Sequence, residues 1–221
     1  MSDGLASPGQ GPPELNTDDA HSARVWNYLL GGKDNFGADR KTGELILNMF
    51  PGIAFLARQQ RAFLVRAVRY LAGAAGVRQF LDIGTGLPTA NNTHEVAQRI
   101  APQARIVYVD NDPLVMVHAR ELLSSTPEGA ASYIGVAPGS YLALCDGTDT
   151  SAALNEAIRI YNENSASSYH LRRPDRIAAF FDGLEMVPPG VTGTAQWRPD
   201  RSEIGSSPEE LDAICGVGRK L

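Results

Sequence analysis

The chain has 221 residues, 43% of them hydrophobic and 20% charged, with a net charge of −5. That length allows one sizeable core with appendages, and the composition is that of a globular protein. The acidic balance excludes general nucleic-acid binding, which needs a basic footprint. The adjacent pair Arg172-Arg173 reads as a solvated loop. No apolar run approaches the ~20 residues of a membrane span, and the N-terminus has no basic stretch followed by an apolar one. A cytoplasmic, reducing setting without membrane attachment is the expectation. Cys145 and Cys215 match no zinc or redox spacing and read as small buried hydrophobes.

Residues 1–20 are rich in Gly, Pro, Ser, Asp and Asn, which predicts a disordered tail. A short helix is expected from Ser22 to Leu30, stopped by Gly31-Gly32. Residues 21–52 read as an N-terminal lid segment, and 53–221 as the main domain. Over 53–72, Leu56, Phe63, Leu64, Ala67, Val68 and Leu71 follow a 3.6 period, an amphipathic helix ended by Gly73 and Gly76. Gln79–Ile83 is a nearly all-apolar strand of the kind buried on both faces. A helix over about 89–100 follows, with Asn92 and Glu95 as a capping pair if it starts late. Arg105–Val109 is the second strand, and Asp112-Pro113 opens a helix to about Leu123. This is the strand–helix–strand–helix order of a right-handed parallel crossover. Beyond it, 132–134 begins a third strand and Ser140–Cys145 is another. Helices are expected at 151–162 and 174–181. Residues 184–187 and 191–197 read as a hairpin around Pro188-Pro189-Gly190, and 199–210 as polar loop.

The chemistry concentrates at Asp82-Ile83-Gly84-Thr85-Gly86. A buried strand running into a turn with two glycines lets backbone approach a ligand without an intervening side chain. Asp110, at the end of the next strand, is placed to accept from ribose hydroxyls. Position makes this a nucleoside-cofactor turn, where an isolated Gly-x-Gly would be weak. A nicotinamide dinucleotide fits less well. Thr89 stands where a third small residue is wanted, Pro88 crowds a pyrophosphate, and Asp82 has no role there. The turn therefore suits S-adenosylmethionine, with Asp82, Gly84, Thr85, Gly86 and Asp110 as binding residues and Asn111 beside the adenine.

Residues 22–40 are dense in polar and aromatic groups for an extension. Gly31-Gly32 permits a sharp turn, Arg24 and Lys33 suit a carboxylate, and Trp26, Tyr28 and Phe36 suit the face of a base. Two readings stay open. The segment is a lid, with Tyr28, Gly32 and Lys33 nearest the ligand, or a clamp that touches no ligand. His94, near a helix start where positive charge is disfavoured, reads as a neutral hydrogen-bonding group rather than a base. No Ser/His/Asp, metal-ligand or paired-carboxylate constellation stands out, so neither a catalytic base nor a metal is named.

These residues resemble an actinobacterial family of S-adenosylmethionine-dependent methyltransferase-like proteins, formerly a domain of unknown function. The likeness runs from about residue 20 to 200. It is carried by Ala23-Arg24-Val25-Trp26-Asn27-Tyr28-Leu29-Leu30-Gly31-Gly32-Lys33-Asp34-Asn35-Phe36 and by Phe80-Leu81-Asp82-Ile83-Gly84-Thr85-Gly86-Leu87-Pro88-Thr89. It continues through Asn92–Ala97, Tyr108–Pro113, Phe181–Glu185 and Trp197-Arg198-Pro199. The resemblance implies a three-layer, doubly wound, mainly parallel α/β sheet of the Rossmann-like methyltransferase type. It also implies S-adenosylmethionine as cofactor and methyl transfer to an unidentified acceptor. One departure stands out: only 29 residues, 111–139, separate Asp110 from Ser140. Relative to the family pattern, roughly 45–55 residues are missing, about two strand–helix units. Strand 79–83 then has to pair directly with 140–145 or face a gap. The same shortening opens an alternative reading, a non-catalytic S-adenosylmethionine-binding or regulatory module. Oligomeric state is not legible.

Overall fold

The structure, a computed structural model, describes residues 16–88, 91–110, 114–115, 139–166, 168–200 and 212–221. Several expected features lie wholly or mostly outside these residues: the tail up to position 15, Asn111, the helix over 112–123 apart from Leu114-Val115, the strand at 132–134, and the loop beyond Asp200.

Three helices open the chain: α1 (Ser22–Leu29), α2 (Gly37–Met49) and α3 (Ile53–Gly73). The apolar face of α3 is buried as its period predicts, through Leu56, Phe63, Ala67, Val68 and Leu71. Helix α2 was not expected. Its two glycines and polar run lower helix propensity, but Asp39 at its third position accepts the Phe36 N–H at 2.8 Å and fixes the start.

Strands β1 (Gln79–Ile83) and β2 (Arg105–Val109) pair in parallel, with Asp82 opposite Tyr108 and Ile83 opposite Val109. Between them runs α4 (Thr93–Ile100), and the Asn92–Glu95 capping box is present, with Glu95 Oε2 accepting the Asn92 N–H at 3.1 Å.

A second sheet contains β3 (Tyr141–Gly147), β4 (Leu184–Met186), β5 (Thr192–Gly193) and β6 (Ala213–Lys220). Between β3 and β4 lie α5 (Ala152–Glu163), capped by Ser151, and α6 (Pro174–Ala178), which begins on proline and continues as a 3-10 turn to Phe181. Strand β6 is antiparallel to β3, β4 and β5 alike. It too was not expected, because Gly216 and Gly218 depress strand propensity. Those glycines make room instead: a Cβ at Gly216 would stand 3.0 Å from the Phe181 ring, and one at Gly218 3.0 Å from Leu184. The expected hairpin of 184–187 with 191–197 is replaced by separate pairing of β4 and β5 with β6. Pro188 and Pro189 offer no N–H to a mutual ladder.

The expected mainly parallel sheet is therefore met by one parallel and three antiparallel ladders among the described residues. Strand β1 pairs with β2 and not with β3, so the gap, rather than the direct pairing, is what the described ladders show. Leu81, Ile83 and Val109 are accordingly exposed, at 63%, 73% and 45%. Helix α3 connects the halves. Its Phe63, Ala67 and Leu71 pack with Trp197, Cys215 and Val217, while Val68 and Ala72 pack with α4, and Phe80 of β1 touches both groups. Trp197 is fully buried, edge-on to Phe63 at 5.4 Å, and the buried Arg66 guanidinium donates to its carbonyl at 2.8 Å. No described helix is long and apolar enough to cross a membrane.

Candidate functional site

The parallel pair delivers the Gly turn and Asp110 to one end of the β1–β2 sheet, the carboxyl ends where α/β folds bind ligands. Gly84 and Gly86 both adopt left-handed backbone, at φ 71° and 67°. Among the described residues no atom stands within 4 Å of where a Cβ would lie at either, so conformation rather than crowding demands glycine there. Gly84 N–H donates to Val109 O at 2.8 Å, extending the ladder by one bond. Gly86 N–H donates to Asp110 Oδ2 at 2.8 Å. Asp110 thus ties the two strand ends together through the turn.

Asp82 is held from the other side. Thr93 Oγ1, on the first residue of α4, donates to Asp82 Oδ2 at 2.6 Å. Beside it, the His94 N–H and ring Nδ1 both lie 2.8 Å from Tyr108 Oη. That matches the hydrogen-bonding role expected for His94. Burial pushes the Tyr108 phenol up to about 12, with the Asp82 charge adding to the effect. Arg61 of α3 donates to Asn92 Oδ1 at 3.0 Å. Burial lowers its pKa, against the charges of Asp82, Tyr108 and Glu95. Thr93, Tyr108 and Arg61 were not singled out from sequence. A hydroxyl at a helix start following a strand-end Asp was the available signal for Thr93; Arg61, on a distant helix, had none.

The N-terminal segment reaches this turn. Ala23 and Phe36 form an apolar cluster with Leu87, the residue after Gly86, and with Leu114 and Val115. Arg24 lies over the Phe36 ring at 5.4 Å and pairs with the buried Asp39 at 3.6 Å. The three expected lid residues are placed differently from one another. Gly32 packs against Asn27, whose side chain a Cβ there would strike at 2.4 Å. Asn27 Oδ1 in turn accepts from the Asp34 N–H and from Asn35. The Tyr28 ring lies against Gly43 of α2, and Lys33 is exposed. The structure thus brings Asp82, Gly84, Thr85, Gly86 and Asp110 together, with Phe36 and Ala23 covering the turn's flank. A polar cleft of about 410 Å³ between α2 and the end of α5 involves none of these residues.

A sequence profile described as S-adenosyl methyltransferase matches residues 8–137 and 135–221, in two stretches that meet at 135–137. No curated protein matches. A solved structure of a candidate methyltransferase from Thermobifida fusca YX is 37% identical, with a TM-score of 0.83, covering 95% of this chain and 98% of that one. A DUF574 family protein from Streptomyces avermitilis MA-4680 is 33% identical, with a TM-score of 0.85, covering 94% of this chain and 100% of that one. The α/β fold is methyltransferase-like, the family's methyl donor is S-adenosylmethionine, and the chain belongs to the S-adenosyl methyltransferase family.

Proposed function

We propose that S-adenosylmethionine lies across Gly84-Thr85-Gly86, its ribose hydroxyls donating to Asp110 and its methionine ammonium facing Asp82. The carrying observation is the pair of fixed carboxylates. Asp110 accepts from the Gly86 N–H and Asp82 from Thr93 Oγ1, so both carboxylates are fixed in orientation at the turn. Two carboxylates suit the hydroxyls and ammonium of this ligand, and the two glycines, lacking side chains, admit its sugar. The adenine contact is assigned to Asn111, which lies outside the described residues. When bound, the cofactor supplies an electrophilic sulfonium methyl. The protein's part is to hold it in line with an acceptor nucleophile, and alignment supplies most of the acceleration. No residue is assigned as base.

Residues 21–52 act as a lid on the domain formed by 53–221. Contact of Phe36 and Ala23 with Leu87 supports this, with Gly32 and Tyr28 setting the segment's shape and Lys33 free to meet the cofactor carboxylate. The two sheets read as halves of one doubly wound, three-layer, Rossmann-like sheet, contracted between β2 and β3. The shared spine α3 and the break in the family match at 135–137 support that reading. A cytoplasmic setting accords with it.

Titration calorimetry with S-adenosylmethionine tests the assignment. Asp110→Ala is expected to weaken binding at least tenfold, and Lys33→Ala more mildly. Unchanged affinity in Asp110→Ala sinks the placement. The edge of β1 that has no partner among the described residues favours a second reading, a cofactor-binding module without catalysis. It is distinguished by tight binding with no transfer of labelled methyl to any component of a cell extract.

A further inference from the structure

Cys145 and Cys215, far apart in sequence, stand directly opposite each other in the β3–β6 ladder. Opposed residues of an antiparallel pair project to the same face. Both side chains accordingly join the apolar cluster of Phe63, Trp197 and Val217. The ladder also fixes the type of pair. At one end Thr148 N–H donates to Asp212 O, and at the other Lys220 N–H donates to Ser140 O. Hydrogen-bonded positions recur at every second residue. Residues 140 and 148 therefore share that class with 142, 144 and 146, and Cys145 falls in the other. Opposed residues of that other class have Cα atoms about 4.5 Å apart, within the ~4.4–6.8 Å that a disulfide spans. Both thiols are free; Cys215 is buried and Cys145 is half-buried.

We propose that Cys145 and Cys215 form a redox modification site that closes a reversible cross-strand disulfide, with a small-molecule disulfide as oxidant. Cys145, the less buried of the two residues, attacks one sulfur of the oxidant as its thiolate. A mixed disulfide forms and one small thiolate leaves. Cys215 then loses its proton to solvent and attacks the Cys145 sulfur, expelling the second small thiolate. Two protein thiols are oxidised, one small disulfide is reduced to two thiols, and the two protons released by the protein return to those thiols. Burial raises the pKa of both cysteines, that of Cys215 to about 12, so the reaction is slow near neutrality and accelerates with pH. The bond ties the central strand β6 to β3 at the residue before Asp146, whose carboxylate accepts from Tyr169 Oη at 2.7 Å and pairs with Arg172.

The full chain, without denaturant, is incubated with oxidised glutathione at pH 7 and pH 8.5, quenched in acid, and read by intact mass and peptide mapping. The expected product has lost about 2 mass units, carries no glutathione, contains a Cys145–Cys215 linked peptide, and reverts with dithiothreitol. It forms several-fold faster at the higher pH. Cys215→Ala is expected to stop at a stable glutathione adduct on Cys145. Should that variant not fold, the wild-type time course, with the adduct preceding the linked peptide, gives the same order of events. Two thiols still alkylatable after prolonged oxidation overturn the proposal. So does a lasting adduct on wild-type Cys145, or a bond between two chains.

Discussion

At the turn, both carboxylates are held in place. Asp110 directly follows β2 and fixes Gly86 across the turn, and Asp82, near the end of the neighbouring β1, is oriented by Thr93 rather than standing free. The hydroxyl of Tyr108 completes the underside of this arrangement by meeting His94. Its burial has a consequence for stability. The folded phenol holds its proton to about pH 12, whereas an unfolded tyrosine loses it near 10. Between those values the unfolded chain binds fewer protons than the folded one, so stability falls as pH rises. Below about 10 the two states are equally protonated at this group and it contributes no slope. Urea denaturation from pH 8 to 11.5 is expected to show that decline, and Tyr108→Phe to make it shallower. An identical slope in the variant would assign the loss to other groups, such as the buried Cys215.

At the scale of elements, the N-terminal segment is held by one buried acid. Asp39 is fully buried, accepts the N–H groups of His21 at 2.9 Å and Phe36 at 2.8 Å, and lies 3.6 Å from the buried Arg24. Taking away one partner of such a pair costs about 3–5 kcal/mol. Asp39→Ala is therefore expected to lower the urea midpoint strongly and to weaken cofactor binding by loosening Phe36. A variant that binds normally despite lost stability would make the segment a clamp only. Deleting the segment is a poorer probe, because Val25 and Leu29 share a core with Ile53, Leu56 and Leu154. Legibility in the sequence varied by element for physical reasons. Strands 79–83 and 105–109 have the bounds their apolar runs predict, and the Asn92–Glu95 cap is where the residue types place it. Helix α2 and strand β6 were hidden. Each depends on tertiary contacts, Asp39 with Arg24 in one and Phe181 over Gly216 in the other, which override unfavourable local propensity. The facing of Cys145 and Cys215 was invisible for the same reason: register is a property of two strands, not of one.

Across the whole molecule, the two sheets differ in how well they are supported. Strand β6 has ladder partners on both edges and buries Ala213, Cys215 and Val217 completely. Strand β1 has a described partner on one edge and leaves Leu81 and Ile83 largely exposed. Local opening follows such differences in burial and pairing. Amides of β1 and β2 are therefore expected to exchange with solvent deuterium through a cheaper opening than those of β6. The ligand proposed for the turn contacts the less stable half, and it stabilises only what must open to release it. At a hundred times its dissociation constant a ligand adds about 2.7 kcal/mol. S-adenosylmethionine at that level should slow exchange in β1, β2 and residues 84–86 up to about 100-fold, while β6 changes less. Equal slowing of both sheets would mean that they open as one unit through α3. Unchanged exchange in β1, β2 and the turn, alongside calorimetric binding, would place the cofactor elsewhere and remove Gly84, Gly86 and Asp110 from the site.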